Sequence, residues 1–362
     1  MKLKKLAHQL ESYYTDPTRT KYPTRETKAV VSSGCTILDC ACSDSHKGAF
    51  TLGKMINVIG DSFSGKTFLA LSILAECCKW KRFRKYTLIY DDAEEACDFN
   101  LRQLFGKRLA DRIQPPSRDQ HGVPIHSNTI QDFHASINKL LVKRTPFIYI
   151  LDSLDSVTSE DEIRKVGEQM KARQKGNQVA GSYQVDKPKA IAQILRMITR
   201  QLKETDSFLI IISQTRDNLD PFSFQRKVRS GGRALKFYCS HEIWLSVGKK
   251  IKAKDLVIGT VTNIKVTKNK LTGKLRDISF PIYLNYGIDD IGSCIDWLIE
   301  QGAWRRKGSR IAARELGVTM VRERLIKEIE EKGLEKQLKQ IVGRTWMKIE
   351  ASLRPDRKAR YT

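Results

Sequence analysis

Five apolar runs punctuate the chain: Met55–Ile59, Thr87–Tyr90, Phe147–Leu151, Phe208–Ile212 and Ile243–Val247. Each is short enough for a strand, and helical patterns lie between the first four. Strands alternating with helices predict an α/β fold: a mostly parallel central sheet with helices on both faces. Val261–Thr267 and Ile278–Leu284 flank a glycine-containing turn, Asn269–Lys274, and read as a hairpin that continues the sheet.

The two ends of the chain carry different patterns. Leu3, Leu6, Ala7, Leu10 and Tyr14 fall at helical spacing, and Thr15 to Lys28, with Pro17 and Pro23, reads as an extended linker. Residues 1–28 are therefore expected to form a helical arm, 29–300 the core and 301–362 a small helical domain. In that last part Val318, Val321, Leu325 and Ile329 are expected on one helical face, Gly333 as a stop, and Leu334, Leu338, Ile341 and Val342 on a second helix.

Composition adds a partner. The 65 Lys and Arg against 41 Asp and Glu leave a formal charge of +24, which points to a polyanion, nucleic acid first. Residues 301–362 alone hold 17 Lys and Arg against 8 Asp and Glu. No apolar run approaches the ~20 residues of a membrane span, so no membrane partner is expected. The basic N-terminus lacks the apolar stretch of a secretory signal, and the expected location is cytoplasmic. The eight cysteines lack paired C-x-x-C spacing and read as reduced core thiols; Cys40-Ala-Cys42 with His46 falls short of a four-ligand zinc site.

Gly60-Asp61-Ser62-Phe63-Ser64-Gly65-Lys66-Thr67 fits G-x-x-x-x-G-K-[ST] between an expected strand and an expected helix. In such a loop the glycines let backbone N–H groups turn toward phosphates, Lys66 reaches the outer phosphates and Thr67 offers a hydroxyl to Mg²⁺. ATP and Mg²⁺ are thus the expected cofactors. Asp152, which ends the apolar run from Phe147, is the expected second metal contact. A carboxylate that orients water is also needed, and Asp91, Asp92, Glu94 and Glu95 all follow the strand at Tyr90. Spacing alone does not choose among them.

The order of these pieces resembles the RecA recombinase family from about Val31 to Trp304. Ser33-Gly34-Cys35-Thr36-Ile37-Leu38-Asp39 is similar to the segment that opens the family's core. Asp92 to Asp98 resembles the segment holding its catalytic base, which selects Glu94. Ile212-Ser213-Gln214-Thr215-Arg216 resembles the strand end whose Gln senses the γ-phosphate, which selects Gln214. Ser230-Gly231-Gly232-Arg233-Ala234-Leu235-Lys236-Phe237-Tyr238 is similar to the stretch closing the family's second DNA-binding loop. Lys268-Asn269-Lys270 resembles the Lys-Asn-Lys through which one subunit reaches its neighbour's ATP.

The resemblance implies a RecA-like P-loop ATPase core and a DNA-dependent ATPase that forms filaments on single-stranded DNA. It further implies homologous pairing and strand exchange with duplex DNA in recombination and repair. Single-strand-binding and loader proteins are the accessory partners it implies. DNA contacts are expected in two loops, about 159–187 and 216–232. The second offers Arg216, Arg226, Lys227 and Arg229 to phosphates, Phe222 and Phe224 to bases, and Gly231 and Gly232 at its close. Three departures stand out: Leu101 near the place of an adenine-stacking Tyr, Arg233 in place of Asn, and a basic rather than acidic C-terminus. They suit a divergent relative, a phage-encoded one among the sources left open. A ring-shaped DNA motor and an ATP-gated single-stranded DNA-binding scaffold are the rival readings on the same core.

Overall fold

The apolar runs do become strands. A computed structural model describes residues 29–175, 186–218 and 227–358; the expected arm at 1–28, and Phe222, Phe224 and Arg226, lie outside the described residues. After helix α1 (Thr36–Ser43) comes β1 (Lys54–Gly60), then α2 (Lys66–Lys79), β2 (Thr87–Asp92) and α3 (Ile130–Val142). Strand β3 (Phe147–Asp152) follows, then α4 (Glu160–Gln174), α5 (Asp186–Glu204) and β4 (Phe208–Asp217). The chain continues through β5 (Lys227–Arg229), α6 (Gly232–Tyr238), β6 (His241–Ala253), β7 (Leu256–Asn269) and β8 (Arg276–Tyr283) to α7 (Asp290–Glu300).

The strands lie in the order β8, β7, β6, β1, β4, β3, β2 within one ten-stranded sheet. From β6 to β2 neighbours run parallel, and β6, β7 and β8 are antiparallel. Every residue of β3 is buried, the mark of a central strand covered on both faces. Register places Gly60 beside Gln214 on one side and Leu245 on the other, and Asp92 beside Asp152. The carboxyl ends of the parallel strands thus converge on one edge, where open α/β sheets hold ligands.

Two expectations are corrected. Val318 and Val321 lie on a strand, Val318–Val321, that pairs with Arg310–Ala313 and, through it, with Arg305–Lys307. The run Val-Thr-Met-Val, β-branched at three of its four residues, favours that sheet, and the helix begins only at Arg322. Helices Arg322–Glu331 and Glu335–Ser352 then follow, separated at Gly333 with φ +61°. Their Leu325, Ile329, Leu338, Ile341 and Val342 are buried in the same cluster as Trp304 and α1, so residues 301–352 pack onto the core. The second correction concerns the loop expected at 159–187, whose described ends are helical. Ser159 Oγ accepts from Glu162 N–H in a capping box that starts α4. Among the described residues no helix is long and apolar enough to cross a membrane.

Candidate functional site

The loop after β1 is shaped by its glycines. Gly65 precedes α2 with φ +92°, and a Cβ there would lie 2.5 Å from Ile282 Cδ1. A Cβ on Gly60 would lie 2.5 Å from Leu245 O and from Ser64 Oγ. Among the described residues the buried Ser64 hydroxyl has no hydrogen-bond partner, and the buried Lys66 donates from Nζ to Asp61 O at 2.8 Å. Burial pulls the Lys66 ammonium below its ordinary range, against the upward pull of Asp152, Glu94, Asp61 and Asp155. A cradle too narrow for side chains, an orphan hydroxyl, a buried cation and the N-terminus of a 14-residue helix together fit a polyphosphate.

The carboxylates sort themselves. Thr67 Oγ1 donates to Asp152 Oδ2 at 2.7 Å, and Tyr90 OH reaches the same oxygen at 3.1 Å. Burial pushes Asp152 up to about 6, opposed by the Thr67 hydrogen bond and reinforced by the charge of Glu94. Hydroxyl and carboxylate side by side are a donor pair that would suit Mg²⁺. Asp91 is fully enclosed and accepts from Ser127 N–H at 2.9 Å, Ser127 Oγ at 2.6 Å and Tyr149 OH. Asp92 closes a turn by accepting from Cys97 N–H at 3.0 Å. Glu94 is the acid aimed at the nucleotide edge: its Oε1 accepts from Gln214 Nε2 at 2.8 Å and from Ser153 Oγ.

The second expected loop has a hairpin base, since β5 pairs back on β4 with Lys227 opposite Asp217 and Arg229 opposite Thr215. Asp155 gathers this base: it accepts from Gln214 N–H at 2.7 Å and Ser230 Oγ at 2.6 Å, and Arg216 lies 3.3 Å away. Thr215 Oγ1 and Lys227 Nζ both donate to the carboxylate of Asp61. The phosphate loop and the hairpin therefore hold each other directly. Arg229 is not displayed: its Nε lies 2.8 Å from Glu242 Oε1, with side chains only 11% and 3% exposed. A buried carboxylate demands a cation, and Arg229 supplies it. Gly231 and Gly232 turn the chain into α6 at φ +84° and +65°, and a Cβ on Gly231 would lie 2.7 Å from Leu154 Cδ2.

Whole-sequence comparison agrees with this geometry. The RecA N-terminal domain family matches residues 9–289. The chain belongs to the RecA family. Among relatives named Protein RecA, that of Ehrlichia chaffeensis is 28% identical over 282 residues, 77% of this chain and 70% of its own length. That of Geobacter metallireducens is 28% identical over 315 residues, 83% of this chain and 84% of its own length. RecA-family proteins are DNA-dependent ATPases, and the function class of this chain is recombinase.

The remaining RecA-like residues lie far from the phosphate loop. Lys268 and Lys270 sit where β7 pairs with the start of β6, which is level with Ile56 on β1. Lys268 Nζ donates to the carbonyls of Lys236 and Phe237, and Lys270 Nζ donates to Phe237 O at 2.9 Å. Both cations thus close the carboxyl end of α6. Asn269 between them builds the turn, accepting from Leu271 N–H and Thr272 N–H and donating to Cys42 O. Near the nucleotide edge Leu101 opens a short helix, and the nearby aromatic Phe99 packs its ring 4.7 Å from Phe68. Sequence reasoning missed Tyr90, Ser153, Asp155 and Thr215 as site residues. Ser153 and Asp155 follow Asp152 closely, but nothing in their spacing shows that Glu94 and β4 fold onto them.

Proposed function

We propose that this RecA-family recombinase binds ATP and Mg²⁺ at Gly60 to Thr67 and forms a helical filament on single-stranded DNA. The filament pairs that strand with homologous duplex DNA, and hydrolysis releases it. The observation that carries the reading is the bond between Gln214 and Glu94. One residue of the nucleotide edge and one at the base of the hairpin share a hydrogen bond, so a change at one is felt at the other. Thr67 and Asp152 would hold Mg²⁺, which when bound neutralises charge on the phosphate oxygens. Lys66 would leave Asp61 O for phosphate, and Glu94 would orient water from a site where Gln214 and Ser153 fix its carboxylate.

Lys268 and Lys270 lie too far from their own subunit's loop to touch its phosphates. Their place supports a role across the subunit interface, where cations offered to a neighbour's γ-phosphate stabilise the developing charge. Arg216 and Lys227, both half in solvent, are the described hairpin cations that we assign to DNA phosphates. Arg226, Phe222 and Phe224 would complete that surface, and the arm at 1–28 would pack on the next subunit. The test is electron microscopy with single-stranded DNA, Mg²⁺ and a slowly hydrolysed ATP analogue, beside an ATPase assay with and without DNA. Continuous helical filaments and DNA-stimulated hydrolysis are expected. Closed rings would replace the reading with a motor, and filaments without hydrolysis would replace it with a scaffold.

A further inference from the structure

Helix α4 has no buried residue along its 15 positions, although a capping box fixes its start. Ile163, Val166 and Met170 are 53%, 49% and 61% exposed. At ~100° per residue they share one stripe with Gly167, and Glu160 and Arg173 flank its two ends. Among the described residues a Cβ on Gly167 would meet nothing within 4 Å, so they leave room at the centre of the stripe. The helix touches the protein through another side, where Glu162, Lys165, Gln169 and Ala172 are partly covered; on the stripe only the side-chain-less Gly167 is partly covered. An apolar stripe of this kind needs an occupant.

The charges specify one. Glu160, Asp161 and Glu162 fill the first turn, whereas Lys171 and Arg173 lie in the last, with Lys175 just beyond. Laid antiparallel on itself, with the two-fold axis between Val166 and Gly167, the helix sets Ile163 against Met170 and Glu160 against Arg173. Val166 then falls against Gly167, the residue that permits close approach. A parallel pair would instead place acid on acid and base on base. We propose that the free protein forms a closed, two-fold dimer through antiparallel α4 helices of two copies.

Such a contact is self-complementary and ends at two subunits, unlike a head-to-tail contact that builds a filament. A helix of this length spans ~22 Å, and a pair buries less than about 1,000 Å², so the dimer is weak and reversible. The inference does not depend on the DNA chemistry proposed above.

The test uses the full chain without DNA or nucleotide. Val166→Cys is oxidised beside Gln174→Cys, whose two copies would sit at opposite ends of the pair, and beside the unchanged chain with its own cysteines. Rapid formation of a cross-linked dimer is expected for Val166→Cys alone. In sedimentation equilibrium, Glu160→Arg and Arg173→Glu each raise the dimer dissociation constant about two- to ten-fold, and the double exchange restores it. Cross-linking no faster at 166 than at 174, a double exchange no better than either single one, or an assembly whose mass none of the variants changes would each overturn the proposal. If the thiol introduced by Val166→Cys becomes protected on adding DNA rather than on raising protein concentration, the stripe belongs to DNA and the proposal is overturned equally.

Discussion

The two ends of the stretch over which β1 and β6 pair use polar residues in opposite ways. At the nucleotide edge, Lys66, Thr67, Asp152, Glu94 and Gln214 come from separate elements, and their hydrogen bonds stop at one another or at an open cradle. About 13 Å down the strands, at His241 and Lys268, polar groups are absorbed into the fold. His241 is buried against Ser240 and Cys42 O, and Asn269 satisfies a turn. Nearby, Asp39 is enclosed by Ser32 and Ser33, with three hydrogen bonds of 2.7 Å. The first edge leaves its polar groups on an open cradle; the second holds a shape, with Lys268 and Lys270 turned onto the carboxyl end of α6. The residues gathered on the phosphate loop all belong to the first edge, and the second lies about 13 Å from it.

Breaking the first edge gives the largest effect. Glu94→Gln is expected to lower DNA-stimulated ATP hydrolysis about 10²- to 10⁴-fold, the usual worth of a positioned acid–base group, while nucleotide still binds. Steady-state phosphate release beside nucleotide binding separates the two. If the second edge works across the interface, Lys66→Ala and Lys270→Ala chains are each inactive alone but complement on mixing. At equal amounts roughly a quarter of interfaces join an intact loop to an intact lysine, and the phosphate release rate reads that fraction. No recovery at any ratio would return Lys270 to a purely structural role.

Acid titration probes the second edge by stability. Burial lowers His241 to about 4, so its contribution is full above 6.5 and fades as pH falls toward 4. Burial raises Asp39 to about 7, so its contribution is full near 4 and fades as pH rises through 7. The two slopes oppose each other, each on the order of 3 kcal/mol. Between pH 4.5 and 6.5, Asp39→Asn should lose denaturant resistance toward acid and His241→Asn should gain it, whereas the unaltered chain changes less than either. The smallest effect belongs to the link between the phosphate loop and the hairpin. Asp61→Asn frees Lys227, and nucleotide-free binding to single-stranded DNA should tighten about two- to five-fold. Its salt dependence should steepen by roughly one phosphate contact. An unchanged slope would show that Lys227 faces no phosphate.

Much of this was legible in the residues. Apolar runs of strand length, spaced by helical patterns, specify the sheet because burial on two faces requires continuous apolar sequence. The eight-residue loop specifies its own cradle because glycine alone allows the backbone so close to Leu245 and Ile282. Spacing left Glu94 among four neighbouring acids and the family resemblance selected it; what the fold adds is how Ser127, Tyr149 and Cys97 set Asp91 and Asp92 apart from it. The fold likewise decided that Arg229 answers a buried Glu242 instead of facing outward, and that Val318 and Val321 belong to a strand. Local sequence determines which backbone shapes and which burials are possible over a few residues. Partners that meet across 59 to 154 positions, as Glu94 meets Ser153 and Asp61 meets Thr215, are set by strand order and register, and only the tertiary structure decides them.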